Sequence, residues 1–149
     1  TDMMYWGKHR HVMGKSDNWW ESLKIGGGAA PIETDKGWLI FYHGVVNTCN
    51  GYVYSVGAAI LDINEPSKVL HRCSRYVLTP EEWYEERGFV PNVCFPCCTL
   101  HDSETGRIAL YYGCADSYVG VAYTTVEEIY NYILKYDNLF EGDSSLGKR

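Results

Sequence analysis

The feature that most limits what this chain can fold into is a pattern that occurs twice. Gly37-Trp38-Leu39-Ile40-Phe41-Tyr42-His43 stops at Gly44, and Arg107-Ile108-Ala109-Leu110-Tyr111-Tyr112 stops at Gly113. Both runs are rich in the β-branched and aromatic residues that suit a pleated, half-buried surface. A turn precedes each, Asp35-Lys36-Gly37 in one and Glu104-Thr105-Gly106 in the other. A second strand follows each, Tyr52 to Leu61 and Tyr118 to Tyr123, with a glycine inside it that permits close backbone approach. Gly44 and Gly113 stand at equivalent places roughly 65–70 residues apart. Repeated antiparallel hairpins predict an all-β array of the propeller-blade kind. The spacing exceeds that of a blade of about 40–50 residues and leaves room for inserted loops. The chain holds about two repeats plus an opening fragment, Thr1 to about Met13, whose Met3-Met4-Tyr5-Trp6 is a further strand signal. Stacked repeats bury their faces only with closure or about three units. Two units leave strand edges open to a second copy or a complementary chain.

Asp62 to Pro80 is rich in turn residues, and Pro80 to Glu86 predicts a short helical turn. The strongest helix signal runs from Thr125 to about Tyr136. Thr125 caps it, Glu127 and Glu128 favour its first turn, and Ile129, Tyr132, Ile133 and Tyr136 line one face. The expected organisation is one unit over 1–136, closed by this helix, and a polar tail over 137–149.

A chain of 149 residues fits one ordinary domain. The formal charge of −6 comes without a Lys/Arg cluster, which argues against nucleic-acid binding. No apolar run approaches the roughly 20 residues of a membrane span, and no leader peptide is recognisable. Six cysteines are therefore expected as reduced thiols. Cys94-Phe95-Pro96-Cys97, with Cys98 and His101 nearby, has zinc-like spacing but lacks a second compact ligand pair. It reads better as a strand whose small sulfur side chains fill the core, and no metal is expected.

Lys24 and His43 are cationic or protonatable groups in apolar, aromatic, strand-like runs, the second at a strand end. Such groups need an anionic partner if buried. Gly26-Gly27-Gly28 follows Lys24, but the order excludes a Walker loop. On spacing alone, Lys24 reads equally as a solvated loop residue, His43 as a core or rim histidine, Tyr54 as a packed strand tyrosine and Asp116 as a turn aspartate. His9 and Arg10 follow another strand end without a distinguishing pattern.

Six segments carry a resemblance to a known family. They are Asp2 to Gly7, Trp20 to Gly28 with Pro31 to Thr34, Gly37 to Val45, Tyr54 to Asp62, Gly88 to Pro96, and Tyr111 to Asp116. In order and spacing, over about 120 residues, they resemble glycoside hydrolase family 130, the β-mannoside phosphorylases and their relatives. The resemblance implies a five-bladed β-propeller with a central active site, of which this chain matches the C-terminal half. It implies that Lys24, His43 and Tyr54 bind phosphate and that Asp116 contacts the sugar beside the scissile bond. The proton-donating Asp and the remaining phosphate-site arginines have no counterpart here and are expected in an N-terminal half, so no catalytic residue is assigned in this chain.

The implied reaction is inverting phosphorolysis of a β-mannoside oligosaccharide to α-mannose 1-phosphate. Inorganic phosphate is the co-substrate and glycosyl acceptor, and no cofactor is implied. An inverting hydrolase needs a second carboxylate to activate water. Phosphate arrives anionic and needs groups that hold it in line. A charged product is retained in a cell, so a cytoplasmic location is expected. The alternatives are a half-propeller that binds carbohydrate or assembles with another chain without catalysis, and a β-mannoside hydrolase of the same family.

Overall fold

The structure, a computed structural model, describes Met4 and residues 6–137. The chain forms two antiparallel sheets and a C-terminal helix. The first sheet contains β1 (Lys24–Gly26), β2 (Ile32–Thr34), β3 (Gly37–Thr48), β4 (Gly51–Leu61) and β5 (Val69–Arg72), in the order β1-β3-β4-β5. β2 shares the β1 edge of β3, at its other end. The second sheet is β6 (Cys94–Asp102), β7 (Arg107–Cys114) and β8 (Tyr118–Thr125), in that order. A short helix α1 (Trp83–Glu86) lies in the connection, and α2 (Val126–Lys135) follows β8 directly.

The expected repeat corresponds to the hairpins β3–β4 and β7–β8, each entered through the turn anticipated for it. Two short strands, β2 and β5, lie in segments whose turn-rich composition concealed them. Met4 and Trp6 to Arg10 have no regular secondary structure; Met3 and Tyr5 of the expected opening strand, and residues 138–149 of the expected tail, lie outside the described residues. α2 forms as expected, and the Thr125 hydroxyl accepts from Glu128 N at 3.1 Å while the Glu128 carboxylate accepts from Thr125 N at 2.9 Å.

One correction concerns β3. It does not stop at Gly44 but continues to Thr48, so His43 lies within a long strand and not at its end. The glycine is there for packing. A Cβ at Gly44 would lie 2.4 Å from the Trp20 ring, and one at Gly57, on the next strand, 2.5 Å from it. Trp20 therefore seats on bare backbone, with Tyr42 beside it at 5.9 Å between ring centroids.

Alternation gives β3 and β4 two distinct faces. Leu39 and Phe41, with Val56, Ala58 and Ile60, face the second sheet and α2, and pack with Leu110, Tyr112, Ile129 and Ile133. The other face holds Tyr42, Ala59 and Trp20. Among the described residues, no helix is long and apolar enough to cross a membrane.

Candidate phosphate-binding face

The core-facing side of the first sheet changes character towards one end. Beyond Leu39 and Phe41, the next same-face position on β3 is His43; before Val56 on β4 it is Tyr54. Lys24 pairs with Val45, and Val45 with Tyr54; Gly26 pairs with His43, and His43 with Val56. Directly opposed residues share a face, so Lys24, His43 and Tyr54 project from one side of three adjacent strands. Lys24 Nζ lies 5.1 Å from the Tyr54 ring centroid. The rings of Tyr54 and His43 are stacked at 5.8 Å and 27°.

Burial separates the three. Lys24 is exposed and Tyr54 half-buried, so the lysine carries none of the burial penalty that its apolar setting suggested. His43 is 9% exposed. Its ring meets Phe95 of the second sheet at 4.4 Å and 33°, and its Nδ1 donates to the Gly27 carbonyl at 3.2 Å. Gly26 makes this placement possible: a Cβ there would lie 2.4 Å from His43 Cε1. Burial pushes the imidazole pKa below its ordinary value, and the charge of Lys24 adds to that; the bond to Gly27 opposes both.

On the opposite face a buried ionic network fixes the segment leading into β1. The Glu21 carboxylate accepts from Arg72 Nη2 at 2.8 Å, Tyr42 Oη at 2.9 Å and Asn18 Nδ2 at 2.8 Å, and also from Ser16 Oγ. Arg72 also donates to the Tyr42 hydroxyl and to the Gly14 carbonyl. Trp20 Nε1 donates to the Ser74 carbonyl at 2.9 Å. Burial, with Glu21 beside it, pushes the Tyr42 hydroxyl pKa upward.

Asp116 belongs to the second sheet, not to the strands that carry the other three candidates. It is exposed in the β7–β8 turn, and both it and Ala115 have left-handed backbone, φ 49° and 48°. Backbone contacts tie this turn to the phosphate candidates. Ala115 N donates to the Val93 carbonyl at 3.0 Å, and Tyr54 N donates to the Asn92 carbonyl at 2.9 Å. Thus residues 92–93 run between Tyr54 and the turn that carries Asp116.

Phe95, the Gly27 carbonyl and the Glu21–Arg72 pair were not identified as site elements from sequence. A charged residue directly after Trp20 was the one available signal for the pair. The cysteine-rich segment also departs in part from expectation. Cys94 is buried and opposite Cys114, but a bulge between Pro96 and Cys98 leaves Cys97 and Cys98 exposed. Among the described residues, no three His, Cys, Asp or Glu side chains group as metal ligands. An apolar cavity of about 310 Å³ lies between the sheets and α2, lined by Phe41, Leu78, Leu110, Ile129 and Tyr132 among others. No cation lines it, whereas Lys24, His43 and Tyr54 lie further along the same face of the first sheet.

Comparison with known proteins bears on this arrangement. A family model described as beta-1,4-mannooligosaccharide phosphorylase matches residues 1–135. A beta-1,4-mannooligosaccharide phosphorylase of Ruminococcus albus is 56% identical over 138 residues, which is 93% of this chain and 41% of that protein. A beta-1,2-mannobiose phosphorylase of Listeria innocua is 39% identical over 128 residues, 86% of this chain and 35% of that protein. The solved complex of beta-1,2-mannobiose phosphorylase from Listeria innocua with beta-1,2-mannobiose superposes with a TM-score of 0.78 at 36% identity, covering 87% of this chain and 35% of that one. The chain thus spans about two fifths of the length of the curated relatives it matches. The match from residue 1 to 135 and the fold agreement lead to one assignment: the chain belongs to glycoside hydrolase family 130.

Proposed function

We propose that this chain carries part of the phosphate and sugar site of an inverting β-mannoside phosphorylase. The observation that carries the reading is the alignment of Lys24, Tyr54 and His43 on one face of adjacent strands, in a family whose named relatives are phosphorylases. Lys24 supplies a fixed positive charge, Tyr54 an O–H donor, and His43 a ring nitrogen left free by the Nδ1 bond to Gly27. These groups hold phosphate in line with the anomeric carbon. A phosphate oxygen attacks that carbon opposite the leaving oxygen, the β-glycosidic bond breaks, and α-mannose 1-phosphate forms. Asp116 accepts hydrogen bonds from sugar hydroxyls beside the bond. The acid that protonates the leaving oxygen, and further cationic groups for phosphate, are proposed to come from outside these 149 residues, within a propeller that this chain completes. On that basis the 149 residues alone do not turn over, and the charged product suits a cytoplasmic enzyme.

The test is phosphate-dependent release of α-mannose 1-phosphate from β-mannooligosaccharides by the complete polypeptide encoded by the gene. Removing a charge-assisted contact costs about 1.5–3 kcal/mol, so Lys24→Ala is expected to raise the KM for phosphate roughly 10- to 100-fold. An unchanged KM removes Lys24 from the site. Release of free mannose in place of the phosphate ester supports the hydrolase reading. A non-catalytic module that assembles with another chain is favoured by one observation, the apolar outer edge of β8, where Val119 is 78% and Tyr123 77% exposed.

A further inference from the structure

Positive charge attracts every tetrahedral oxyanion, so Lys24 by itself does not tell phosphate from sulfate. His43 is placed to do so, and the inference rests on the phosphate-site reading above. The Gly27 carbonyl, 3.2 Å from Nδ1, can only accept a hydrogen bond. Nδ1 therefore carries the proton of the neutral ring, and Nε2 presents a lone pair. The ring has little freedom to exchange its two nitrogens. Phe95 lies 4.4 Å away and Tyr54 5.8 Å away, both at shallow angles to it. Its Cε1 and Nε2 atoms lie over Gly26, where a Cβ would approach within 2.4 and 2.6 Å.

We propose that His43 makes the site selective for oxyanions that still carry a proton. Hydrogen phosphate donates its O–H to the Nε2 lone pair while its other oxygens face Lys24 and the Tyr54 hydroxyl. Sulfate has nearly the same size and charge but no proton at neutral pH, so it sets an oxygen lone pair against the nitrogen lone pair. A desolvated acceptor without a donor is costly, and this mismatch rejects sulfate where charge alone admits it.

The groups that bear on the imidazole are consistent with a neutral ring. Lys24 faces it from β1 and Tyr54 from β4, β6 contributes the uncharged ring of Phe95, and residues 26–27 contribute backbone. Burial first, and then the Lys24 charge, disfavour protonation against the opposing pull of the Gly27 carbonyl. When acid does protonate Nε2, that nitrogen becomes a donor, and sulfate then finds a partner as phosphate does.

The experiment measures competition with phosphate in phosphorolysis by the complete polypeptide, with sulfate and arsenate as competitors. Arsenate retains a proton near neutral pH and serves as the matched control. At pH 8 sulfate is expected to compete at least about tenfold more weakly than arsenate. In His43→Gln the amide can turn its N–H₂ towards either anion, and the gap at pH 8 is expected to shrink to within about threefold. Equal competition by both anions at pH 8 in the unmodified protein overturns the proposal while leaving the phosphorylase reading intact. That arm needs no variant to fold. Absence of any phosphate-dependent turnover instead overturns the underlying functional reading.

Discussion

Gly26 offers the sharpest perturbation of the proposed site, because its neighbour provides the control. In Gly26→Ala the new Cβ would lie 2.4 Å from His43 Cε1. Ordinary carbon–carbon contact is about 3.5–4.0 Å, so the imidazole must retreat by about 1 Å or more. Phe95 at 4.4 Å restricts that movement, and retreat strains the 3.2 Å bond from Nδ1 to Gly27. Displacing a positioning group by about 1 Å can cost about 100-fold in rate. Overpacking costs about 1–3 kcal/mol of stability. Alanine returns about 0.5–1 kcal/mol through the chain entropy that glycine loses on folding. The expected result is a loss of about 100-fold in kcat/KM for phosphate, with a net loss of stability of no more than about 2.5 kcal/mol. Gly27→Ala is the comparison: a Cβ there meets nothing within 4 Å, and the carbonyl that His43 uses is retained. The assay is phosphorolysis by the complete polypeptide at varied phosphate, with a denaturation curve for each variant. Equal activity in the two variants refutes the reasoning, since only one of them touches the imidazole.

Two further outcomes can be measured by equilibrium denaturation. Arg72→Leu removes the cationic partner of the fully buried Glu21 side chain, and breaking such a pair is expected to destabilise the fold by about 3–5 kcal/mol; a change below about 1 kcal/mol shows that Tyr42, Ser16 and Asn18 suffice. The second outcome concerns pH. Because the folded pKa of His43 is lowered, the unfolded chain takes up this proton first as pH falls. The associated stability is complete above the ordinary imidazole pKa of about 6.5 and is lost as pH drops from there towards the folded value. His43→Asn is expected to flatten the stability–pH curve between about pH 7 and pH 5; an unchanged slope places the titration elsewhere.

How much could be read from the chain depended on the range of the interaction. The β3–β4 and β7–β8 hairpins and α2 follow from local patterns: alternation, a turn before each hairpin, and a capping box. Lys24 and His43 lie in strands, as their runs suggested, and those strands are neighbours, with Gly26 paired to His43. Glycine was the ambiguous signal. Gly44 resembles a strand terminator in sequence, yet it is a seat for Trp20 in a strand that continues to Thr48. Short β2 and β5 owe their existence to longer partners and have too few residues to show a period of their own. The contacts that define the surroundings of His43 were the least legible. Phe95 lies 52 positions along the chain from His43, and nothing in either segment encodes their meeting.

The need to fix a strand register accounts for a buried ion pair behind the proposed phosphate site. β1 has three residues, and its pairing with β3 is too short to secure its register. A one-residue slip would send Lys24 to the opposite face, away from Tyr54 and His43. Glu21, three positions before Lys24, is held by donors from Arg72, Tyr42, Asn18 and Ser16, while Trp20 fits over two glycines on adjacent strands. A slip would pull the carboxylate from those donors and drive the indole into backbone. The directional bonds on one face thus determine where the lysine projects from the other. Hydrophobic residues of similar volume could replace the Glu21–Arg72 pair at little cost in stability. They would not restore that directionality, because apolar contact is non-directional. The cost of such a replacement should therefore appear in phosphate affinity before it appears in the unfolding curve.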